Sequence, residues 1–139
     1  MLYRNKKQND DNAGKWLGIG GKFEPGETAD ECNMREVYEE TGIRLNSAHF
    51  YGVVKFRSTT YEYEDMYLYS SDNFELPDEL PECNEGTLRW VAKAELMSLP
   101  MWEGDGIFLE KVLNGQKKIS MTMFYEGDKL KEVKEDTYE

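Results

Sequence analysis

Gly21-Lys22-Phe23-Glu24-Pro25-Gly26-Glu27-Thr28-Ala29-Asp30-Glu31-Cys32-Asn33-Met34-Arg35-Glu36-Val37-Tyr38-Glu39-Glu40-Thr41-Gly42-Ile43 is the stretch on which the reading of this chain turns. Thr28 precedes Glu31 by the spacing of a capping box, so a helix begins there. Gly42 sits where a left-handed residue would end it. At about 100° per residue, Glu36, Glu39 and Glu40 share one arc of roughly a third of a turn. Like charges at such spacing oppose a helix. Ala29, Cys32 and Val37 lie on or beside that arc, which turns at least Glu36 and Glu40 toward the body of the protein. Inward carboxylates are costly unless paired or coordinating a cation, and hard divalent ions take such oxygen ligands. The helix alone therefore reads two ways, as a metal site or as a solvated acidic face.

Outward from the helix the elements are mixed. Residues 1–4 look like the end of a strand, and a polar stretch over 5–14 leads to Trp16-Leu17-Gly18-Ile19-Gly20-Gly21. Aromatic and β-branched runs predict strands over 49–57 and 61–69. An acidic loop over 72–86 follows, then a short strand over 88–91 and helices over 93–99 and 106–113. Glu126-Gly127-Asp128 is flanked by runs at 119–125 and 130–133, the pattern of a hairpin. Strands and helices without regular alternation place the chain in the α+β class, a layered α/β/α sandwich with a mixed sheet flanked by helices. One domain over 1–134 with an acidic tail at 135–139 is expected from a length of 139 residues.

Charge narrows the function. A net charge of −11 repels nucleic-acid phosphates, so a polymer of nucleotides is excluded as partner. If a phosphate compound is bound, cations must stand between it and the protein. No apolar run approaches a membrane span and no signal-peptide pattern opens the chain, so no membrane partner is expected. Cys32 and Cys83 are too few for a disulfide framework, which fits a cytoplasmic protein.

The full pattern is Gly-x5-Glu-x7-Arg-Glu-Val-x-Glu-Glu-x-Gly-Ile. It is similar to the Nudix box at every specified position, and a chance match in a chain of this composition is on the order of a few in a million. The resemblance to the Nudix hydrolase family implies an α/β/α sandwich and a metal-dependent hydrolase. Glu36, Glu39 and Glu40 match the family's metal-binding glutamates, with a carbonyl of Gly20 or Gly21 as a further ligand. Mg2+ is the implied cofactor, Mn2+ an alternative. Glu40 is the choice for general base, or for the ligand that holds the attacking water, beside Glu36 and Glu39 in the catalytic set. Glu27 and Arg35 match the pair that ties loop to helix, and Gly42 closes the motif. Lys22 reads as a phosphate contact or a solvated lysine. Glu85 resembles an additional metal ligand of some members, or is one acid among several in its loop.

Beyond the box, Trp16 to Phe23 and Pro100-Met101-Trp102-Glu103-Gly104-Asp105 resemble the 8-oxo-dGTP diphosphatase branch of that family. There a tryptophan stacks on the purine and an aspartate bonds its edge, roles that fall to Trp102 and Asp105, with Phe56 and Met66 lining the same pocket. Trp102 reads equally as core packing beside Pro100 and Met101. Leu17 stands where the human-type enzyme has a base-contacting asparagine, and Gly104 replaces one of its two aspartates, so preference for an oxidised purine stays open. Set against the family, the first strand is expected to be missing or incomplete, through a shortened gene reading or because a neighbouring chain supplies it. The expected activity is hydrolysis of a nucleoside triphosphate to monophosphate and diphosphate, by a monomer or homodimer. The alternatives are a Nudix hydrolase of ADP-ribose or a dinucleoside polyphosphate, and a nucleotide-binding sensor without turnover.

Overall fold

The computed structural model describes residues 1–6, 10, 12–83 and 86–135. The chain forms two compact units, Met1–Ala48 with Ser71–Met101, and His49–Ser70 with Trp102–Glu139. Mixed sheets with a few helices give the expected α+β class. Among the described residues no helix is long and apolar enough to cross a membrane.

In the first unit, β1 (Leu2–Tyr3) lies between β2 (Trp16–Leu17) and β5 (Thr87–Leu88), antiparallel to both. Leu2 is buried. Gly86 serves this packing, since a Cβ there would fall 1.9 Å from the Tyr3 carbonyl oxygen. The Trp16 amide donates to the Pro100 carbonyl at 2.8 Å, anchoring the segment that leads to Gly20 and Gly21. Helix α1 (Ala29–Thr41) follows the loop, and α2 (Lys93–Leu96) is a single turn.

In the second unit the core is built on β3 (Arg44–Ser58), β4 (Glu64–Glu75), β6 (Met121–Glu126), β7 (Lys129–Glu135) and α3 (Glu103–Leu113). The sheet order is β4-β3-β6-β7, and the ends Arg44–Ala48 and Ser71–Glu75 of the first two strands belong to the first unit. β3 and β6 run parallel while β6 and β7 are antiparallel, so the sheet is mixed. The side-chain bonds Asn46 to Asn73, Tyr51 to Ser70 and Arg57 to the Glu64 carbonyl descend β4 as they climb β3, the mark of an antiparallel pair. Val54, Ile119, Met121 and Met123 are fully enclosed with Phe108 and Tyr125 around them. Each such side chain contributes about 1.5–3 kcal/mol by leaving water. Gly52 permits β3 to approach β6, because a Cβ would fall 2.3 Å from the Ile119 carbonyl oxygen.

Several element limits differ from expectation, for local reasons. β3 starts at Arg44 rather than 49, since the chain extends directly from the Gly42 cap through a mostly exposed segment, Arg44–Ala48, that has few aromatic or β-branched residues to mark it as a strand. β4 starts at Glu64 rather than 61, because the Ser58 hydroxyl accepts from the Thr60 and Tyr61 amides and holds that segment in a turn. β5 is Thr87–Leu88 rather than 88–91, and α2 stops at Leu96 rather than 99. α3 begins at Glu103, three residues before the expected start, and includes Gly104 and Gly106, poor helix formers whose presence masked its first turn. Of the expected tail at 135–139, Glu135 ends β7 and the remaining four residues lie outside those described.

Candidate active site

Helix α1 is capped as its sequence dictates. The Thr28 hydroxyl accepts from the Glu31 amide at 3.2 Å and the Glu31 carboxylate accepts from the Thr28 amide at 3.2 Å. Gly42 adopts φ 75° and donates its amide to the Tyr38 carbonyl. Asp30 and Glu31 in the first turn suit the helix dipole, but the last turn carries no base. Glu36, Glu39 and Glu40 therefore gather toward the negative end of the dipole, close to one another. That arrangement costs stability unless cations answer it.

Arg35 supplies one cation. Its Nε donates to Glu27 Oε2 at 2.6 Å and its Nη2 to Glu27 Oε1 at 2.9 Å, a bidentate pair between a 21%-exposed and a 10%-exposed side chain. Nη1 donates to Glu36 Oε1 at 2.8 Å and to Glu39 Oε2 at 3.0 Å, and Nη2 also reaches the Lys22 carbonyl at 3.0 Å. The Arg35 guanidinium beside Glu27 holds that carboxyl down at about 2, and the carboxylates in turn raise the arginine. Across the loop, Glu27 Oε1 accepts from the Glu24 amide at 3.0 Å, and Gly26 turns the chain at φ 77°. One arginine thus fastens the glycine loop to the helix.

The loop meets the glutamates directly. The Gly20 amide donates to Glu40 Oε2 at 3.3 Å. Gly21 lies against Glu36, and a Cβ on it would stand 2.4 Å from the Glu36 carboxyl carbon. The Cys32 thiol, raised by burial, donates to the Gly21 carbonyl at 3.7 Å. Lys22 is exposed, with its carbonyl held by Arg35. The structure therefore brings Gly20, Gly21, Glu27, Arg35, Glu36, Glu39 and Glu40 together. Among the described residues no three acids, histidines or cysteines already enclose a point where an ion could sit, since Glu36 and Glu39 are drawn onto Arg35. Glu85 lies outside the described residues.

In the second unit, Trp102 caps α3 through its backbone and touches Tyr61 and Tyr125 edge-on, at centroid distances of 5.8 and 5.6 Å. Trp102, Phe56 and Met66 are partly buried against the core cluster. Asp105 is pushed up to about 7 by burial and, secondarily, by the negative charge of Glu64. Tyr125 was not singled out from sequence, yet its hydroxyl accepts from the buried Gly104 amide at 2.7 Å. A Cβ on Gly104 would stand 2.6 Å from that oxygen and 2.3 Å from Met123 Sδ. No local signal pointed to Gly104, because the helix expected from sequence began at 106 and left this residue outside it. His49 is exposed, with Nε2 bonded to the Lys117 carbonyl, a structural role.

The family model described as NUDIX domain matches residues 1–112. The oxidized purine nucleoside triphosphate hydrolase of Danio rerio is 30% identical over 128 residues, covering 91% of this chain and 81% of that protein. The uncharacterized Nudix hydrolase YvcI of Bacillus subtilis is 31% identical over 116 residues, covering 81% and 73%. Among solved structures, the MutT protein from Bacillus halodurans superposes with a TM-score of 0.82 at 29% identity, over 88% of this chain and 83% of that one.

Proposed function

The chain belongs to the Nudix hydrolase family, and from that premise we propose that it is a divalent-metal-dependent pyrophosphohydrolase of purine nucleoside triphosphates, 8-oxo-dGTP foremost. The observation that carries the reading is the glutamate helix itself, with Glu36, Glu39 and Glu40 set against Gly20 and Gly21 and Arg35 fastened to Glu27.

The residues fit a hard cation. Their donors are carboxylate and carbonyl oxygens, and the bare Cα of Gly21 leaves room for the Glu36 carboxylate. Glu36, Glu39 and Glu40, with a carbonyl of Gly20 or Gly21, would hold Mg2+ or Mn2+, and Glu85 is a further candidate. When bound, such an ion neutralises diphosphate charge and acidifies a water molecule. Water attacks one phosphorus of the diphosphate, the bridging P–O bond breaks, and monophosphate and diphosphate leave. Glu40 accepts the proton that the water gives up. Glu27 and Arg35 position the loop, and Lys22 meets a phosphate oxygen.

Trp102 stacks on the purine and Asp105 bonds its edge, with Phe56 and Met66 beside them. A carboxyl pushed up to about 7 offers either a donor or an acceptor near neutrality, a useful property against a modified purine. The name of the Danio rerio relative supports that class of base. The reading also takes residues 1–134 as one domain, the cytoplasm as its location and a free nucleotide, not a polymer, as its partner.

The test is an assay of the purified chain with Mg2+ against 8-oxo-dGTP, the four common deoxynucleoside triphosphates, ADP-ribose and diadenosine polyphosphates. The expected result is release of a nucleoside monophosphate and diphosphate, fastest in kcat/KM from 8-oxo-dGTP. Preference for ADP-ribose or a dinucleoside polyphosphate would overturn the substrate assignment, and no turnover of any compound by folded protein would overturn the activity.

A further inference from the structure

The strands that bury Val54, Phe56, Met121 and Met123 turn the alternate side chains to the other face of the sheet. There Lys55, Arg57, Thr122 and Phe124 line a depression of about 480 Å3, joined by Tyr63 and by Lys131 of β7. A register shift between Phe124 and Tyr125 opens the ladder at this end. The volume lies within the range of small-ligand sites, roughly 300–1,000 Å3.

Its charge is the reverse of the molecule's. The chain carries 28 acids against 17 lysines and arginines, yet this lining gathers three cations around a single acid, Glu126. Arg57 is already engaged, paired with Asp65 at 2.9 Å and placed 5.0 Å from the Tyr63 ring centroid. It serves to fix the ring. Lys134 similarly lies 5.6 Å from the Phe124 centroid. Lys55 and Lys131 have no ion-pair partner among the described residues. Two unanswered ammonium groups, a half-buried hydroxyl and two held aromatic rings are the parts needed for a compact anion with a planar ring. Long-range repulsion from a net charge of −11 grows with the charge of the ligand, so a monophosphate is opposed less than a polyphosphate or a polymer.

We propose that this depression is a separate binding site for a nucleoside monophosphate, with the phosphate at Lys55, Lys131 and the Thr122 hydroxyl and the base against Tyr63 and Phe124. Charge-assisted bonds hold the phosphate and ring contact selects the nucleoside. Nothing in the lining depends on hydrolysis, so the site stands or falls separately from the reaction.

The test is titration of the whole chain with GMP, followed through backbone amide NMR shifts, with guanosine and inorganic phosphate as separate arms. The amides of Thr122, Phe124, Glu126 and Lys131 are expected to move with GMP, and each fragment alone to bind about tenfold more weakly or worse. Combining Lys55→Gln with Lys131→Gln is expected to weaken GMP at these amides by about tenfold or more, without a change in circular dichroism. Amides that stay still, or a double variant that binds as the parent does, would overturn the site. Inorganic phosphate binding as tightly as GMP would reduce it to an anion patch, and guanosine doing so would remove the role of the lysines; either overturns the assignment.

Discussion

Arg35 grips Glu27 with two hydrogen bonds, 2.6 Å from Nε and 2.9 Å from Nη2, while its remaining nitrogen turns to Glu36 and Glu39. One guanidinium thus ties the glycine loop to the helix and offsets the repulsion among the glutamates. Glu27→Gln leaves the shape and removes the charge. The expected outcome is a lower Tm at neutral pH and at least about tenfold lower kcat/KM for the triphosphate. The pH dependence has a definite sign. Glu27 is depressed from 4.5 to about 2, so its contribution is present above the ordinary value and lost as pH falls toward 2. Thermal melts from pH 6 to 2 should show the parent losing its advantage over Glu27→Gln in that window; a constant difference in Tm would contradict the pairing.

Asp105 has the opposite sign. Its carboxyl rises from 3.8 to about 7, so between those values the folded state binds more protons than the unfolded one. Stability therefore falls as pH rises through that window. At 1.36 kcal/mol per pH unit, a rise from 3.8 to about 7 caps the cost at roughly 4 kcal/mol. Asp105→Asn removes the titrating group, so it should melt higher than the parent at pH 8 and lose that advantage toward pH 4. If Asp105 bonds the purine edge, the same variant also raises KM for 8-oxo-dGTP about tenfold or more. Equal melting profiles across pH would contradict the burial argument.

Gly21→Ala separates fold from site. A Cβ would stand 2.4 Å from the Glu36 carboxyl carbon, the far end of a flexible side chain. The carboxylate can swing away, so Tm should hardly change while hydrolysis falls about tenfold or more. Gly42→Ala should do the reverse. There the backbone has φ 75° and a Cβ would press on Pro77 at 3.3 Å, so stability should fall by about 1 kcal/mol or more. Melting and initial-rate measurements on both variants check the pair, and an active Gly21→Ala enzyme would remove the role given to Glu36.

Tyr125→Phe leaves the buried Gly104 amide without its acceptor. A lost partner for a buried donor costs about 1–3 kcal/mol, read as a lower midpoint in urea. Since Gly104 lies between Trp102 and Asp105, KM for the purine triphosphate should rise more than kcat falls. An unchanged KM would show that this turn does not hold the base.

The glutamate helix was legible because its caps, its acids and its glycine loop all sit within one short stretch, and local spacing decides each of them. Glu36 facing inward followed from the neighbouring Cys32 and Val37, and the structure leaves its side chain 16% exposed against 55% for Glu39. The role of Gly104 was not legible. Its reason is Tyr125 and Met123, brought near by packing that no local pattern records. Asp105 was singled out by resemblance, but its altered acidity comes from burial and from Glu64, a residue distant in sequence. The basic depression was equally hidden, because Lys55, Arg57 and Lys131 are unremarkable lysines and an arginine until the strands align them.

The most direct measurement is hydrolysis of 8-oxo-dGTP by the parent chain and by Glu40→Gln, with Mg2+ and after chelation, each shown to be folded by circular dichroism. The account predicts that the parent releases monophosphate and diphosphate only with the ion, and that Glu40→Gln is slower by about 100-fold or more in kcat. Undiminished hydrolysis by Glu40→Gln, or hydrolysis that survives chelation, would contradict it.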